Sequence, residues 1–254
     1  MAWLHVLAEK LQAWFAEFRD EFVVNFITDS RWTWLAKGLR NTLRITAVAI
    51  LLGVVIGVVV ATVRASYDKN REMMALHGGF SYRIFAFFNG VCRVYLAIIR
   101  GTPVVVQLLI MYFIIFARSR NAIMVATLAF GVNSGAYVAE IIRGGIMSID
   151  NGQFEAGRSL GFNYVQTMLY IVIPQVFKSV LPALLNEFIA LLKETSVAGY
   201  VGIMDLTKAG DLIRGRTFSA FMPLIAVALV YLAIVMLLTS LVSRLERRLR
   251  KSER

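Results

Sequence analysis

Charged and amide side chains interrupt several apolar segments of this sequence, where an ionisable group is costly and usually faces a cavity or a partner. Lys193 and Glu194 are adjacent in one such segment, and neighbours on a helix do not face one another. Each therefore needs a partner on another helix, a water-filled cavity or a ligand of opposite charge. A small zwitterion would satisfy both, although a structural ion pair between helices is the alternative. Gln107 is a further candidate, but a lone glutamine often bonds only to nearby backbone.

A second polar group lies in another apolar segment. Asn133, Tyr137 and Glu140 are spaced i, i+4, i+7 and share one helix face, with Ser134 beside them. This face either lines a substrate route or forms hydrogen bonds between helices, in which case Glu140 and Arg143 simply lie at the membrane interface. A neighbouring stripe of small residues predicts close packing against another helix: Thr127, Gly131 and Gly135.

Residues that would carry catalysis or bind a metal are scarce. The single cysteine, Cys92, excludes a disulfide framework and a Cys-rich metal site. The two histidines, His5 and His77, form no metal-binding pair, and neither lies near other residues of a catalytic type in the sequence. The sequence contains no Walker A glycine–lysine loop. We therefore predict that the chain is not an enzyme, holds no cofactor or metal, and does not itself hydrolyse ATP.

The composition is that of an integral membrane protein. Of the 254 residues, 58% are hydrophobic and the mean hydropathy is +0.68, against about 45–50% apolar residues in soluble domains. The long uncharged runs favour membrane helices over a barrel, so the expected fold is an all-α helix bundle. The net charge of +11 comes from basic residues that flank the apolar runs. It therefore indicates topology and a lipid environment rather than nucleic-acid binding.

About 20 apolar residues are needed to cross a bilayer, and about five transmembrane helices are predicted. Their ranges are 45–63, 101–117, 121–146, 181–201 and 217–243. Residues 80–99 are apolar but contain Asn89, Cys92 and Arg93. We interpret them as an interfacial or partly buried helix that leads into the second span, rather than as a sixth span.

Basic residues favour the cytoplasmic side of a membrane. They are concentrated in the tail 244–254 and in the loop 64–83, whereas residues 1–37 have no positive excess. With an odd number of spans, the N-terminus is expected outside and the C-terminus in the cytoplasm. The domain boundaries that follow are an external segment 1–37, a membrane domain 38–243 and a basic cytoplasmic tail 244–254.

The first 27 residues are amphipathic. Their apolar side chains recur at steps of three and four: Leu4, Leu7, Leu11, Trp14, Phe15, Phe18 and Phe22. They contain no basic segment followed by an apolar core, which argues against a cleaved signal peptide. We interpret the segment as a helix on the outer membrane face. A helix packed on the other spans is the alternative that the sequence leaves open.

A polar stretch, EAGRSLGFNYVQTMLYIVIP at 155–174, separates the third and fourth predicted spans. Asp150 can cap a helix, and Gln153 lies where it can reach back to that cap. Glu155 lies early in this helix, where the dipole favours a negative charge, and Gly161 suits a left-handed stop. The predicted helix of about ten residues is about 15 Å long. It is either a mechanical handle for a partner or a simple connector.

The spacing of this stretch resembles the EAA motif of permease subunits of ABC-type importers. The matched positions are Glu155, Ala156, Gly161, Ile171 and Pro174. Two positions depart from the usual motif, because Gly157 stands where the family prefers alanine and Ile173 where it prefers leucine. The resemblance implies a coupling loop over 150–174, with Asp150 and Gln153 at the start of its helix.

Other segments resemble the polar amino acid branch of that family. They are Asn41-Thr42-Leu43, RGTPVVVQLLIMYF from Arg100, GAYVAEIIRGGIMSIDNGQFEAG from Gly135, and LLKETSVAGYVGIMDL from Leu191. Together they cover roughly residues 35–243. Thr195 and Ser196 lie in the last segment and join the candidates for the substrate path. After Phe113 the sequence IIFARSR departs from the branch and shortens the outer loop.

The resemblance implies a type I ABC importer permease in the plasma (inner) membrane of a prokaryote. The implied partners are two ATP-binding subunits that hold ATP and magnesium, a second permease subunit, identical or paralogous, and an external solute-binding protein. The implied cargo is a polar amino acid, with an opine or a small peptide as the alternative. A stand-alone secondary transporter would show an internal repeat, and no convincing duplication is evident. A membrane enzyme would need a set of catalytic residues at one membrane face, and this sequence shows none.

Overall fold

A computed structural model describes residues 2–77 and 79–251, with the side chains of 2, 4, 8, 70–77, 81, 250 and 251 left out. All regular structure in this part is helical. The α-helices are α1 Ala2–Phe22, α2 Trp32–His77, α3 Phe80–Gly101, α4 Val104–Ile110, α5 Ala122–Met147, α6 Asn151–Ser159, α7 Tyr164–Thr167, α8 Ile173–Glu194, α9 Leu206–Thr217 and α10 Phe221–Lys251. Wider π-helical turns follow α1, α4 and α7 at Val23–Ile27, Met111–Ile115 and Met168–Val172, and tighter 3₁₀ turns occupy Thr28–Ser30 and Thr195–Val201.

Five segments of the described chain are long and apolar enough to cross a membrane, as predicted. They are Trp32–Lys69, Tyr82–Gly101, Ala122–Met147, Tyr164–Val201 and Phe221–Leu249. The third agrees with its predicted range. The first and fourth begin earlier than predicted, and the fifth begins at Phe221 because Thr217 ends α9.

The second span is the main error of the sequence prediction. The span-length helix is Tyr82–Gly101, whereas Val104–Ile115 is too short to cross alone. Polar residues argued against a span at 80–99, but Asn89 is buried and its side-chain oxygen accepts a hydrogen bond from Arg64 of α2 at 2.8 Å. A polar residue that is satisfied inside the bundle does not prevent a helix from spanning.

The backbone is extended at Thr102 and Pro103, between α3 and α4. Proline lacks an N–H, and the residue before it disfavours helical dihedrals, so the helix is interrupted here. α4 then packs on α5, because its buried Leu108 belongs to the same core cluster as Ala126 and Phe130. α3 and α4 thus form a broken helix that packs along α5.

The closest packing in the bundle joins α2 and α5. Each of the two helices carries a pair of glycines four residues apart, and each glycine lies against a side chain of the other helix. The pairs are Gly53 with Ser134, Gly57 with Val138, Gly131 with Leu52, and Gly135 with Ile56. This reciprocal arrangement lets two helix backbones approach closely. It confirms the predicted contact role of Gly131 and Gly135, and we call it the glycine seam.

The bundle has two distinct ends. The loop that contains α6 lies at one end, which we call the loop end. At the opposite end the start of α2 meets the segment before α9, where Asn41 donates to the Met204 carbonyl at 2.9 Å and Leu206 N–H donates to Thr42 at 3.1 Å. Between these ends, the largest core cluster contains Ile45, Phe130 and Leu191 of three different spans.

The predicted N-terminal helix is present as α1. Its only extensive contact within the described chain is with the turn Val23–Ile27 that follows it. The alternative in which this helix packs on the spans is therefore not what the structure shows.

Candidate functional site

The loop helix α6 begins and ends as its sequence predicts. The Asp150 side chain accepts a hydrogen bond from Gly152 N–H at 2.6 Å and caps the helix. Gly161 has a φ of +82°, a left-handed conformation that glycine adopts without steric cost. The predicted reach of Gln153 back to the cap is wrong, because its side-chain oxygen accepts from Gln175 on α8 at 3.2 Å instead. That bond ties α6 to α8.

The chain turns directly into α7 after Gly161. Asn163 and Gln166 form a reciprocal cap there, with both side chain to backbone distances at 2.9 Å. α6 and α7 meet where Gly157 is buried against Thr167. A β-carbon at 157 would lie 2.5 Å from the Thr167 hydroxyl oxygen. The glycine at this motif position therefore has a local packing reason.

A span also holds α6. The ammonium group of Lys69, in α2, lies 3.9 Å from the centroid of the Phe154 ring, within the range of a cation–π interaction. The Phe154 ring in turn stacks on Tyr164 with 6.1 Å between centroids. Sequence reasoning missed both contacts, since residues this distant in sequence give no signal of contact.

The outward face of this loop is accessible. Glu155, Ala156 and Arg158 of α6 are exposed, as is Pro174 in the first turn of α8. Large apolar side chains, which sequence reasoning passed over, are exposed beside them: Leu160, Val165, Leu169 and Tyr170. An apolar patch within a polar loop was the signal that could have identified them. Such a patch is typical of a protein or membrane interaction surface, and Val165, Leu169 and Tyr170 lie within the span-length segment Tyr164–Val201.

The predicted polar residues of the spans separate into a cluster and two other groups. In the cluster, Asn133 donates to the side-chain oxygen of Gln107 at 2.9 Å. The Gln107 amide donates to the Ile99 carbonyl at 2.8 Å and to the Thr102 hydroxyl at 2.8 Å. Gln107 thereby links α5 to the free backbone groups at the break between α3 and α4.

Ser134 lies next to this cluster and donates to a carboxylate oxygen of Glu187 on α8 at 2.9 Å. Glu187 was absent from the predicted site, although its spacing of seven from Glu194 was a usable signal. The Asn133 side-chain oxygen is buried without a hydrogen-bond partner among the described residues. A buried acceptor of this kind favours a donor from a ligand or a water molecule.

Glu140 and Tyr137 belong to a different group nearer the loop end. Glu140 pairs with Arg143 at 3.0 Å and with Arg100 at 3.8 Å. Arg143 also pairs with Asp68 of α2 at 3.3 Å, and the Arg100 guanidinium lies over the Tyr137 ring. These pairs support the structural interpretation of Glu140.

The remaining candidates lie at the end of α8 that is far from the loop. Lys193 is exposed and Glu194 is half-buried, and Glu194 is close enough to Glu187 for their charges to interact. The buried Thr195 hydroxyl donates to the Leu192 carbonyl at 2.8 Å and lies 3.4 Å from Thr46 of α2, which makes it a packing residue. Ser196 is partly buried.

A pocket of about 590 Å³ opens at the opposite end of the bundle. It lies between the turn before α5 and the segment before α9, and its lining includes Asn41, Arg120, Asn121 and Met204. Among the described residues, no group of three or more His, Cys, Asp or Glu side chains is arranged to hold a metal ion.

Five span-length helices and a short exposed helix between the third and fourth spans define a multi-pass membrane protein. Residues 73–251 match the family described as "Binding-protein-dependent transport system inner membrane component". The chain belongs to this family. It is the permease subunit of an ABC transporter in the inner membrane, and because ATP hydrolysis in such transporters lies in separate subunits, it is not an enzyme.

Two bacterial relatives align with most of the chain. A putative glutamine transport system permease protein, GlnP of Rickettsia bellii, is 34% identical over 232 residues, which are 90% of this chain and 98% of the relative. The arginine transport system permease protein ArtQ of Bacillus subtilis is 32% identical over 222 residues, 86% of this chain and 94% of the relative. A solved structure described as an amino acid ABC transporter with histidines superposes with a TM-score of 0.74 at 36% identity, covering 88% of this chain and 98% of that chain.

Proposed function

We propose that this chain forms the translocation path of an ATP-driven importer of a polar amino acid. The observation that carries the proposal is its similarity, over most of the chain, to permeases of glutamine and arginine transport. An amino acid presents one carboxylate and one ammonium group, which suits the mixture of donors and acceptors around Asn133 and Ser134. An opine or a small peptide is the alternative cargo.

Two ATP-binding subunits, each with ATP and magnesium, drive the transport in this proposal. The segment 150–174 is the coupling loop, and α6 inserts into a groove of one ATP-binding subunit. The exposed Glu155, Ala156 and Arg158 face the groove, while the patch of Leu160 and Tyr170 covers its rim. Closure of the ATP-binding subunits then moves α6, which passes the displacement to α5, α8 and α2.

The proposed assembly contains two permease subunits, either two copies of this chain or this chain and a paralogue. One coupling loop fills one groove, so two ATP-binding subunits need two loops. The loop end and the tail 244–254 lie in the cytoplasm, and residues 1–37 lie outside. An external solute-binding protein delivers the amino acid to the opposite end of the membrane domain 38–243.

The proposed path follows the side chains that the structure brings together in α4, α5 and α8. Gln107, Asn133 and Ser134 form its core with Glu187, and Lys193 and Glu194 supply further charge. Tyr137 lies toward the loop end of the same face. Glu140, Thr195 and Ser196 take supporting positions, since the first two already have partners within the chain.

The test is ATPase activity of the reconstituted complex, screened across amino acids, an opine and a dipeptide with the binding protein present. We expect stimulation by one or a few polar amino acids. Stimulation by the opine or the dipeptide alone would assign the alternative cargo. Glu155→Ala and Gly161→Val should reduce both co-purification with the ATP-binding subunit and coupled ATPase activity. Unchanged association and coupling in both variants would refute the role of the loop.

A further inference from the structure

The N-terminal helix α1 has an apolar face that the bundle leaves uncovered. Its exposed apolar side chains are Trp3, Leu7, Leu11, Trp14, Phe15, Phe18 and Phe22. With 3.6 residues in a turn, these seven positions fall within an arc of about 120°. Glu9, Gln12, Ala16, Arg19 and Asp20 occupy the other side of the helix together with the exposed Val6, and Glu21 lies at the edge of the arc in line with Trp3. An arc of this width is an apolar stripe that needs a surface to cover it.

The orientation of α1 is set by the turn that follows it. Asn25 is buried, and its side-chain oxygen accepts from the Thr217 hydroxyl of α9 at 2.7 Å. Arg31 donates to the Val24 carbonyl and to the Asp29 carboxylate at 2.8 Å. Asp29 and Ser30 both have a positive φ, of 53° and 52°, so the backbone reverses sharply before α2. This clamp attaches α1 at the opposite end of the bundle from the coupling loop.

The apolar face of α1 directly precedes the first span in the chain. Beyond Phe22, the side chains of Val23, Val24 and Ile27 are exposed, while Phe26 between them is buried against the bundle. At the start of α2, Trp32 is exposed, and the charged side chains of Lys37, Arg40 and Arg44 are exposed after it. Farther along α2, within the span-length segment Trp32–Lys69, the apolar side chains of Val48, Leu51 and Val55 are exposed and face acyl chains. The stripe of α1 is therefore joined, across a short charged stretch, to a helix whose exposed surface contacts lipid.

We propose that α1 lies in the plane of the membrane and binds the lipid surface through this stripe. Tryptophan and phenylalanine side chains suit the boundary between headgroups and acyl chains. The helix carries four acidic and two basic residues, so apolar burial rather than attraction to anionic lipid holds it there. The occupant of the stripe is thus a zwitterionic or neutral bilayer surface.

The test uses the full chain in lipid nanodiscs, with Trp3, Trp32 and Trp34 changed to Phe so that Trp14 is the sole tryptophan reporter. Replacing phosphatidylcholine by its dibrominated form should quench Trp14 by about twofold or more, because the stripe reaches the acyl chains. The matched control moves the reporter across the helix, with Trp14→Phe and Ala16→Trp. Its emission should change little. A thermal melt of each variant verifies that the bundle is intact.

Equal quenching of the two reporters, or quenching of neither, would overturn the proposal. A second copy of the chain covering the stripe would leave Trp14 unquenched and make its emission depend on the protein-to-lipid ratio. If the stripe instead bound a separate protein, which the nanodiscs lack, Trp14 would lie in water and its emission would be red-shifted. Adding phosphatidylglycerol should not increase the quenching, and a strong increase would contradict the apolar mode of binding.

Discussion

The ammonium group of Lys69 in α2 lies over the ring of Phe154 in α6, 3.9 Å from its centroid. The loop helix is therefore held by a span that is not adjacent to it in sequence, in addition to α5 before it and α8 after it. In the proposed coupling, a displacement of α6 would reach α2 through this contact. The Phe154 side chain is also partly buried against the core cluster at the loop end.

Phe154→Leu should weaken coupling while it preserves the fold. Leucine keeps the apolar contacts but removes the ring, and a cation–π interaction contributes about 0.5–2 kcal/mol. We expect coupled ATPase activity of the reconstituted complex to fall several-fold, with basal ATPase activity unchanged. Phe154→Tyr retains the ring and is the matched control. If the leucine and tyrosine variants showed equal coupled ATPase activity, the contact between Lys69 and the Phe154 ring would have no role in coupling.

Gly157→Ala should destabilise the loop even though it restores the residue that the motif prefers. The new methyl group would lie 2.5 Å from the Thr167 hydroxyl oxygen, and overpacking of this kind costs about 1–3 kcal/mol. The melting temperature of the purified chain should fall. Thr167→Ala in the same chain removes the clashing atom and should recover part of the loss.

Gly161→Ala is the control for this pair. No atom of the described chain lies near a β-carbon at 161, but the φ of +82° is strained for alanine. Its cost should therefore be unaffected by Thr167→Ala. If Thr167→Ala rescued both glycine variants equally, the specific contact between Gly157 and Thr167 would not be the cause.

Local sequence signals predicted the parts of the fold whose physics is local. The cap at Asp150, the stop at Gly161 and the amphipathic pattern of α1 depend on a few neighbouring residues. The second span was placed wrongly because its decisive interaction, the bond between Arg64 and Asn89, joins residues 25 positions apart. An unpaired asparagine argues against a span, and the sequence alone does not show the pairing.

Asp205 should make stability depend on pH. It is fully buried, one oxygen accepts from Lys208 N–H at 2.7 Å, and the other has no partner among the described residues. Burial raises the pKa of Asp205 from 3.8 to about 6, although Lys208 opposes the shift. Between these two pH values the folded chain keeps a proton that the unfolded chain releases. Stability is therefore full below about pH 4 and decreases by up to about 3 kcal/mol as the pH rises through about 6.

Asp205→Asn keeps the capping oxygen and removes this titration. The difference in melting temperature, variant minus parent, should increase between about pH 4 and pH 7 and then remain constant. Asp211→Asn is the control, because hydrogen bonds from Lys208 and Arg214 lower the pKa of Asp211. Its difference should be flat over the same interval. A flat profile for Asp205→Asn as well would show that its burial carries no titration penalty.

Lys193→Met tests the substrate path. Lys193 is exposed and forms no ion pair in the described part of the chain, so its loss should leave the melting temperature unchanged. Loss of a contact with the substrate carboxylate worth about 1.4 kcal/mol would raise the concentration for half-maximal uptake about tenfold. Lys178→Met, at another exposed lysine of α8, is the control. A lower melting temperature with an unchanged concentration for half-maximal uptake would show that Lys193 is a structural residue and does not contact the substrate.

The polar cluster was only partly predictable. Shared helix faces identified Asn133 and Ser134, because spacing within a helix is fixed by its geometry. The partners Gln107 and Glu187 lie on other helices, and their approach depends on how α4, α5 and α8 cross. Glu140 was grouped with Asn133 on the same grounds, yet a nearby arginine on the same helix, Arg143, holds it in a separate ion pair.

The glycine seam holds α2 and α5 together as one rigid pair of helices. Each glycine receives a side chain of the opposite helix, so neither helix can slide past the other by a residue without collision. At the loop end both helices are attached to α6. α5 is joined to it by a short connection, and α2 contacts it through Lys69. In the proposed coupling, we therefore expect α2 and α5 to move together when α6 is displaced. Such a movement would displace Ser134, where Gly53 forms part of the seam.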